Sequence, residues 1–240
     1  MKTKRIISFA LGILMLILVS FSVVSCQTSY EDETFYLRIN TDSQRNKTYS
    51  LHEILDKEAT EIVIPSEING IVIDNIINTA FDGCTKLEKI TFSETTEYIY
   101  HARNKALSAC PALEEIVFNC NYLKGDEFQI NYGSEDGVTI TLSEGFRSTD
   151  DLFAGSTNLK KVVVLNKDWG NSDSFVGCTN LESIKFSGTK EEWCRRYQVN
   201  GIENTYSHLI IGKENDAYKN LSITVECSDG IVTFISGEAK

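Results

Sequence analysis

The 240-residue chain is short of the groups that most chemistry needs. It has three histidines, His52, His101 and His208, and none stands in a recognisable nucleophile motif. It contains no G-x-S-x-G, no H-E-x-x-H and no phosphate-binding glycine loop. Its cysteines show no C-x-x-C or C-x-x-H spacing, which argues against a zinc site. Basic residues are also scarce. Lys and Arg number 23 against 34 Asp and Glu, a net charge of −11, so a nucleic-acid partner is not expected, because phosphates need a basic face. The acidic pairs Glu135–Asp136 and Glu191–Glu192 could serve as general acid and base, but they read as solvated turn or helix charge. Only 2 prolines and no low-complexity tract occur, and a 42% hydrophobic, 24% charged composition is that of a folded protein. The length suits one or two domains with a sizeable core.

The start of the chain is of another kind. Lys2, Lys4 and Arg5 precede an apolar run from Ile6 to Val19, followed by Val23-Val24-Ser25-Cys26. A charged region, an apolar region and a small residue before a cysteine is the layout of a secretory signal. The last four residues resemble the lipobox of bacterial lipoproteins. That resemblance implies cleavage after Ser25 and a diacylglyceryl group on Cys26. The other reading is an uncleaved anchor, since residues 6–24 are nearly long enough to span a bilayer. Loss of residues 1–25 leaves 34 acidic against 20 basic residues, a net −14. So acidic a chain is repelled by anionic headgroups, and acyl chains must supply the membrane attachment. Residues 26–34 read as a polar tether.

The rest is dominated by repetition. Residues 80–92 read AFDGCTKLEKITF, residues 106–118 ALSACPALEEIVF, residues 152–164 LFAGSTNLKKVVV and residues 174–186 SFVGCTNLESIKF. Five columns align. Phe81, Leu107, Phe153 and Phe175 share one, Cys84, Cys110, Ser156 and Cys178 a second, and Leu87, Leu113, Leu159 and Leu181 a third. Ile90, Ile116, Val162 and Ile184 form the fourth, with Phe92, Phe118, Val164 and Phe186 two residues on. Ile62-Val63-Ile64 and Ile140-Thr141-Leu142 repeat the ending, so first apolar positions fall at 62, 90, 116, 140, 162 and 184. A leucine pattern at 22–28 residue spacing predicts a leucine-rich-repeat solenoid, horseshoe-like and of α/β class. Short parallel strands would stack, with helical or irregular segments on the far side. Residues 119–137 lack the Phe and Cys columns and read as a degenerate unit or an insertion.

The pattern resembles the BspA-like leucine-rich repeats of bacterial surface proteins, whose units read roughly A-F-x-G-C-T-x-L-x-x-I-x-I-P. Residues 64–81, IPSEINGIVIDNIINTAF, resemble the family's entry into its first full repeat. Residues 187–193, SGTKEEW, and 225–230, VECSDG, resemble its ending. The expected organisation is an N-terminal cap at 35–60, repeats at 61–186 and a C-terminal cap at 187–240. The resemblance implies an exported, non-enzymatic, lipid-anchored surface protein that binds host or neighbouring-cell proteins, with no cofactor. The alternative is a cell-envelope hydrolase or carbohydrate-binding lipoprotein whose site is assembled from scattered residues.

Strand alternation nominates a binding face. The residues between the inward positions are Val63, Thr91, Val117, Thr141, Val163 and Lys185. Their β-branched, half-apolar character points to Val117, Val163 and Leu165 as an apolar centre ringed by Lys89, Glu115 and Lys161. β-Branched residues also suit strands wherever they sit, so packing alone can account for them. Among the cysteines, a column that accepts serine reads as small buried side chains, and Cys194 and Cys227 could be close enough to bond. Trp193 reads as an aromatic plug on the last repeat or as a sugar-stacking platform.

Overall fold

A computed structural model of the chain describes residues 29–41, 46–77, 79–93, 106–119, 128–147, 152–168, 175, 177–197, 222–235 and 238–239. The leader and Cys26 lie outside the described residues, as do His101, His208 and Cys120. Among the described residues no helix is long and apolar enough to cross a membrane.

Two sheets share one core. The larger is built on the repeats. β4 (Glu61–Ile64), β7 (Lys89–Phe92), β8 (Glu115–Phe118), β9 (Val138–Leu142), β10 (Leu159–Val164) and β11 (Ser183–Phe186) pair in parallel in that order. The register matches the aligned columns, with Ile62 opposite Ile90, Ile90 opposite Ile116, Ile116 opposite Ile140, then Val162 and Ile184. Parallel in-register strands put like residues in rows at about 4.8 Å. Each row therefore buries together: the column of Ile90, the column of Phe92 and all four Leu positions are at most 4% exposed.

The described part of the return path, just before each strand, is made of turns. In each copy the Cys-column N–H donates to the Phe-column carbonyl: Cys84 to Phe81, Cys110 to Leu107, Ser156 to Phe153 and Cys178 to Phe175, at 3.0–3.1 Å. The Leu-column N–H donates to the Cys-column carbonyl at 3.1–3.3 Å. The residue before the Cys column is glycine in three copies, with φ +82° at Gly83, +75° at Gly155 and +81° at Gly177. The second copy has Ala109, and there residues Ala106–Ala109 form a 3-10 turn. An L side chain disfavours positive φ, so this copy takes the other way round the corner. Among the described residues of the far side, turns and one 3-10 turn stand in place of longer helices.

The sheet does not end at Phe186. β12 (Ser222–Cys227) adds a seventh parallel strand beside β11, then turns at Asp229 into antiparallel β13 (Gly230–Ile235) and β14 (Glu238–Ala239). Before it, α1 (Lys190–Tyr197) starts on a capping box: Glu192 N–H donates to Thr189 Oγ1 at 3.1 Å, and Thr189 N–H to Glu192 Oε2 at 2.7 Å. Asp229 Oδ1 adds to the cap by accepting the Lys190 N–H at 2.7 Å. Glu192 is a helix cap. Trp193, 2% exposed, packs its ring 5.2 Å from Phe186, so it plugs the core and offers no sugar platform.

The smaller sheet covers the N-terminal end. Its order is β1 (Ser29–Glu31), β2 (Phe35–Thr41), β3 (Lys47–Ile54), β6 (Ile71–Ile76) and β5 (Glu67–Ile68). β1 lies within the stretch read as tether, and β5 and β6 lie within the stretch read as repeats. Asn69 and Gly70, both at positive φ (53° and 73°), form the two-residue hairpin loop between β5 and β6. Phe35, Leu37, Leu51, Ile54, Ile73 and Ile76 point from this sheet into the common core.

Candidate functional site: the outer face of the parallel sheet

The inner rows are filled, so recognition by the parallel sheet falls to its outer rows. Lateral register puts Val63, Thr91, Val117, Thr141, Val163 and Lys185 in one row, extended by Glu226 of β12 and Ile231 of β13. Val63 is 60% and Ile231 61% exposed, while Thr91, Val117, Thr141 and Val163 are half-buried by their neighbours. A second row holds Glu61, Lys89, Glu115, Thr139, Lys161 and Ser183. Leu165, 40% exposed, stands just past the end of β10.

The nominated residues all lie on this one face, but as a strip. Thr141 separates Val117 from Val163, and Leu165 adjoins Val163 alone. Lys89 and Glu115 pair with each other across β7 and β8, Nζ to Oε2 at 2.8 Å, and the bond to Glu115 raises the Lys89 pKa. They are therefore partly spoken for. Lys161 is exposed and makes no ion pair among the described residues. The turn at Asp229-Gly230, between strands ending at Cys227 and starting at Ile231, is legible in the sequence; that these strands continue the row is not, because Val225 follows its predecessor Ile184 by a gap far outside the 22–28 residue spacing.

The conserved-looking chemistry of the repeat is structural. Cys84, Cys110 and Cys178 are buried free thiols, at 1%, 0% and 5% exposure. Burial pushes Cys110 and Cys178 up to about 12 and raises Cys84 as well. Such thiols are poor nucleophiles and poor metal ligands. Cys178 donates its S–H to Phe153 O at 3.3 Å. Cys227 is buried at the end of β12, and the Cys194 side chain lies outside the described residues. Glu135 and Asp136 sit in the exposed turn before β9, beside an open groove of about 270 Å³ that Glu182 and its partner Lys160 also line. No cluster of three His, Cys, Asp or Glu side chains among the described residues is placed to hold a metal.

The register decides the family question together with the sequence match. Residues 55–182 match the BspA type leucine rich repeat region in six copies. The chain belongs to that family. Repeats of this kind mediate protein–protein interaction, and the family is typically associated with bacterial surfaces. Among solved structures, the T. pallidum leucine-rich repeat protein TpLRR is 17% identical, over 81% of this chain and 85% of its own, with a TM-score of 0.35. A leucine-rich repeat protein from Bacteroides ovatus is 22% identical over 65% of this chain and 46% of its own, with a TM-score of 0.34. Superpositions this loose carry no information about the site. No curated protein matches the chain.

Proposed function

We propose that this BspA-type repeat protein is a non-enzymatic, lipid-anchored protein of the bacterial cell surface that recognises another protein through the outer face of its parallel sheet. Adhesion to a host or neighbouring-cell protein is the role this supports. The observation that carries it is the outer row of eight strands, where Val63, Val117, Val163 and Ile231, with Leu165 beside Val163, put apolar side chains on the outer face among threonines and charges. Apolar side chains grouped on an outer face mark interfaces. Lys161 and the Lys89–Glu115 pair supply its charged rim. The anchor is supported by Val23-Val24-Ser25-Cys26 at the end of the apolar leader.

The test is capture of surface proteins by the intact cell-displayed chain. Val163→Lys with Val117→Lys should abolish capture, while thermal stability changes by no more than about 0.5 kcal/mol per site, as surface changes normally do. Capture that survives both substitutions moves the partner off this face. In parallel, Cys26→Ser should leave the precursor uncut and outside the lipid-labelled fraction; normal processing of that variant removes the anchor from the reading.

A further inference from the structure

The outer face of the N-terminal cap sheet carries a second constellation, independent of the strip on the solenoid. Arg38 on β2 is exposed, and its Nε donates to the Tyr36 hydroxyl at 3.1 Å, with Cζ 5.6 Å from the Tyr36 ring centre. A bulge in the β2–β3 register at Tyr36/Leu37 leaves His52 as the extra residue of β3. Its ring stands edge-on to Tyr36 at 6.1 Å and 69°. Bulges commonly re-aim side chains beside functional sites. In register with Arg38 lie Ser50 of β3 and then Asn75 of β6. Asn75 Nδ2 donates to Ser50 Oγ at 3.1 Å, and Asn40 donates to the same oxygen, so the polar floor beside Arg38 is tied down.

The guanidinium lacks a counter-charge. No acidic side chain among the described residues lies within ion-pair distance of Arg38. Tyr36 fixes the guanidinium through Nε and leaves its two terminal nitrogens open. In a chain of net charge −11, an oriented and unneutralised guanidinium is a site for an anion. We propose that this face binds a carboxylated sugar, with Arg38 taking the carboxylate and Tyr36 and His52 flanking the sugar ring. The fork geometry of arginine matches a carboxylate bidentately. Two partly exposed rings beside it suit a pyranose better than a bare phosphate, since each presents apolar and hydrogen-bonding edges together.

His52 reports on the site. Burial first, and then the Arg38 charge, hold its pKa below the ordinary 6.5. Tyr36 stands against the imidazole and Arg38 acts on it, both from β2, and Glu53, its neighbour on β3, is bonded to Lys57 at 3.2 Å. A carboxylate arriving at Arg38 offsets the guanidinium charge and favours the imidazolium. Binding must then raise the His52 pKa, and affinity must rise as pH falls through that titration.

The experiment follows the imidazole C–H resonances of the mature lipidated chain in detergent micelles, assigned with His52→Gln. D-Glucuronate, oligogalacturonate, glucose, phosphate and a glutamate-rich peptide are the probes. The expected result is a His52 pKa that moves up with glucuronate and oligogalacturonate and does not move with glucose. Arg38→Gln should weaken glucuronate binding about tenfold or more, the loss of a charge-assisted fork. It should also raise the His52 pKa of the ligand-free protein. Arg38→Lys, which keeps the charge without the fork, should fall between. The proposal is overturned if glucuronate leaves His52 unmoved, if Arg38→Gln binds it equally, or if glucose matches it. Tighter binding of phosphate or of the glutamate peptide overturns it too, since either assigns the face to a different occupant.

Discussion

Ser156 stands where the other repeats have Cys84, Cys110 and Cys178, and the substitution looks in the sequence like drift within a packing column. Its hydroxyl has a specific task. Ser156 Oγ accepts the Ile130 N–H at 2.9 Å in a fully buried position. Ile130 belongs to the irregular segment that replaces a regular far side in this repeat, where Phe128 and Ile130 fill the space the missing columns leave. The partner lies 26 residues upstream, so nothing local in the sequence announces the bond. Ser156→Ala should therefore cost about 1–3 kcal/mol in urea denaturation, the penalty for a buried donor left unpaired. Cys178→Ala, which removes a weak S–H donor and a little volume, should cost about 1 kcal/mol. Equal costs at the two positions would reduce Ser156 to ordinary packing.

The element that repeats is the corner before each strand, and its glycine can be tested apart from its surroundings. At Gly83, φ is +82° and an added Cβ would meet only the Lys57 side chain, Cδ at 3.5 Å and Cε at 3.7 Å, ordinary contacts. The cost of Gly83→Ala is then that of the backbone alone, about 1–2 kcal/mol for an L side chain in the left-handed region. Ala109→Gly should bring no comparable gain, because that copy already turns through a 3-10 corner. Thermal melts of the two variants check the pair. A neutral Gly83→Ala would mean that the corner can convert freely to the second copy's form. The glycine column was plain in the sequence; that one copy would solve the corner differently was signalled by Ala109 alone.

At the scale of the molecule, the stacked cysteine column couples stability to pH. Cys110 and Cys178 are pushed by burial from an ordinary 9.0 to about 12, and Cys84 is shifted the same way. A thiol whose folded pKa lies above its unfolded value favours folding while it stays neutral. That contribution is fully present below the unfolded value near 9 and is lost as pH rises toward 12. Melting temperature should accordingly fall steeply between pH 9 and 12. The double variant Cys110→Ala, Cys178→Ala should be less stable at pH 7 but fall less over that range. An identical slope in the double variant would assign the alkaline loss to other groups, such as Tyr49, whose pKa burial also raises.

Repetition is what the chain states on its own. Five columns at 22–28 residue spacing dictate which residues face inward, which strands are parallel neighbours and which positions form the outer row, because in-register stacking is the only arrangement that buries every copy of a column at once. The nominated face, from Lys89 to Leu165, follows from strand alternation and was legible for the same reason. Pairings between segments that do not repeat had no such signal. Whether Ile71–Ile76 joined the repeats or the cap, and whether Ser222–Cys227 extended the sheet, were settled by tertiary contacts. So was the bulge that sets His52 beside Tyr36 and Arg38, since a register shift between two strands is fixed by what both must bury and leaves no mark on either strand alone.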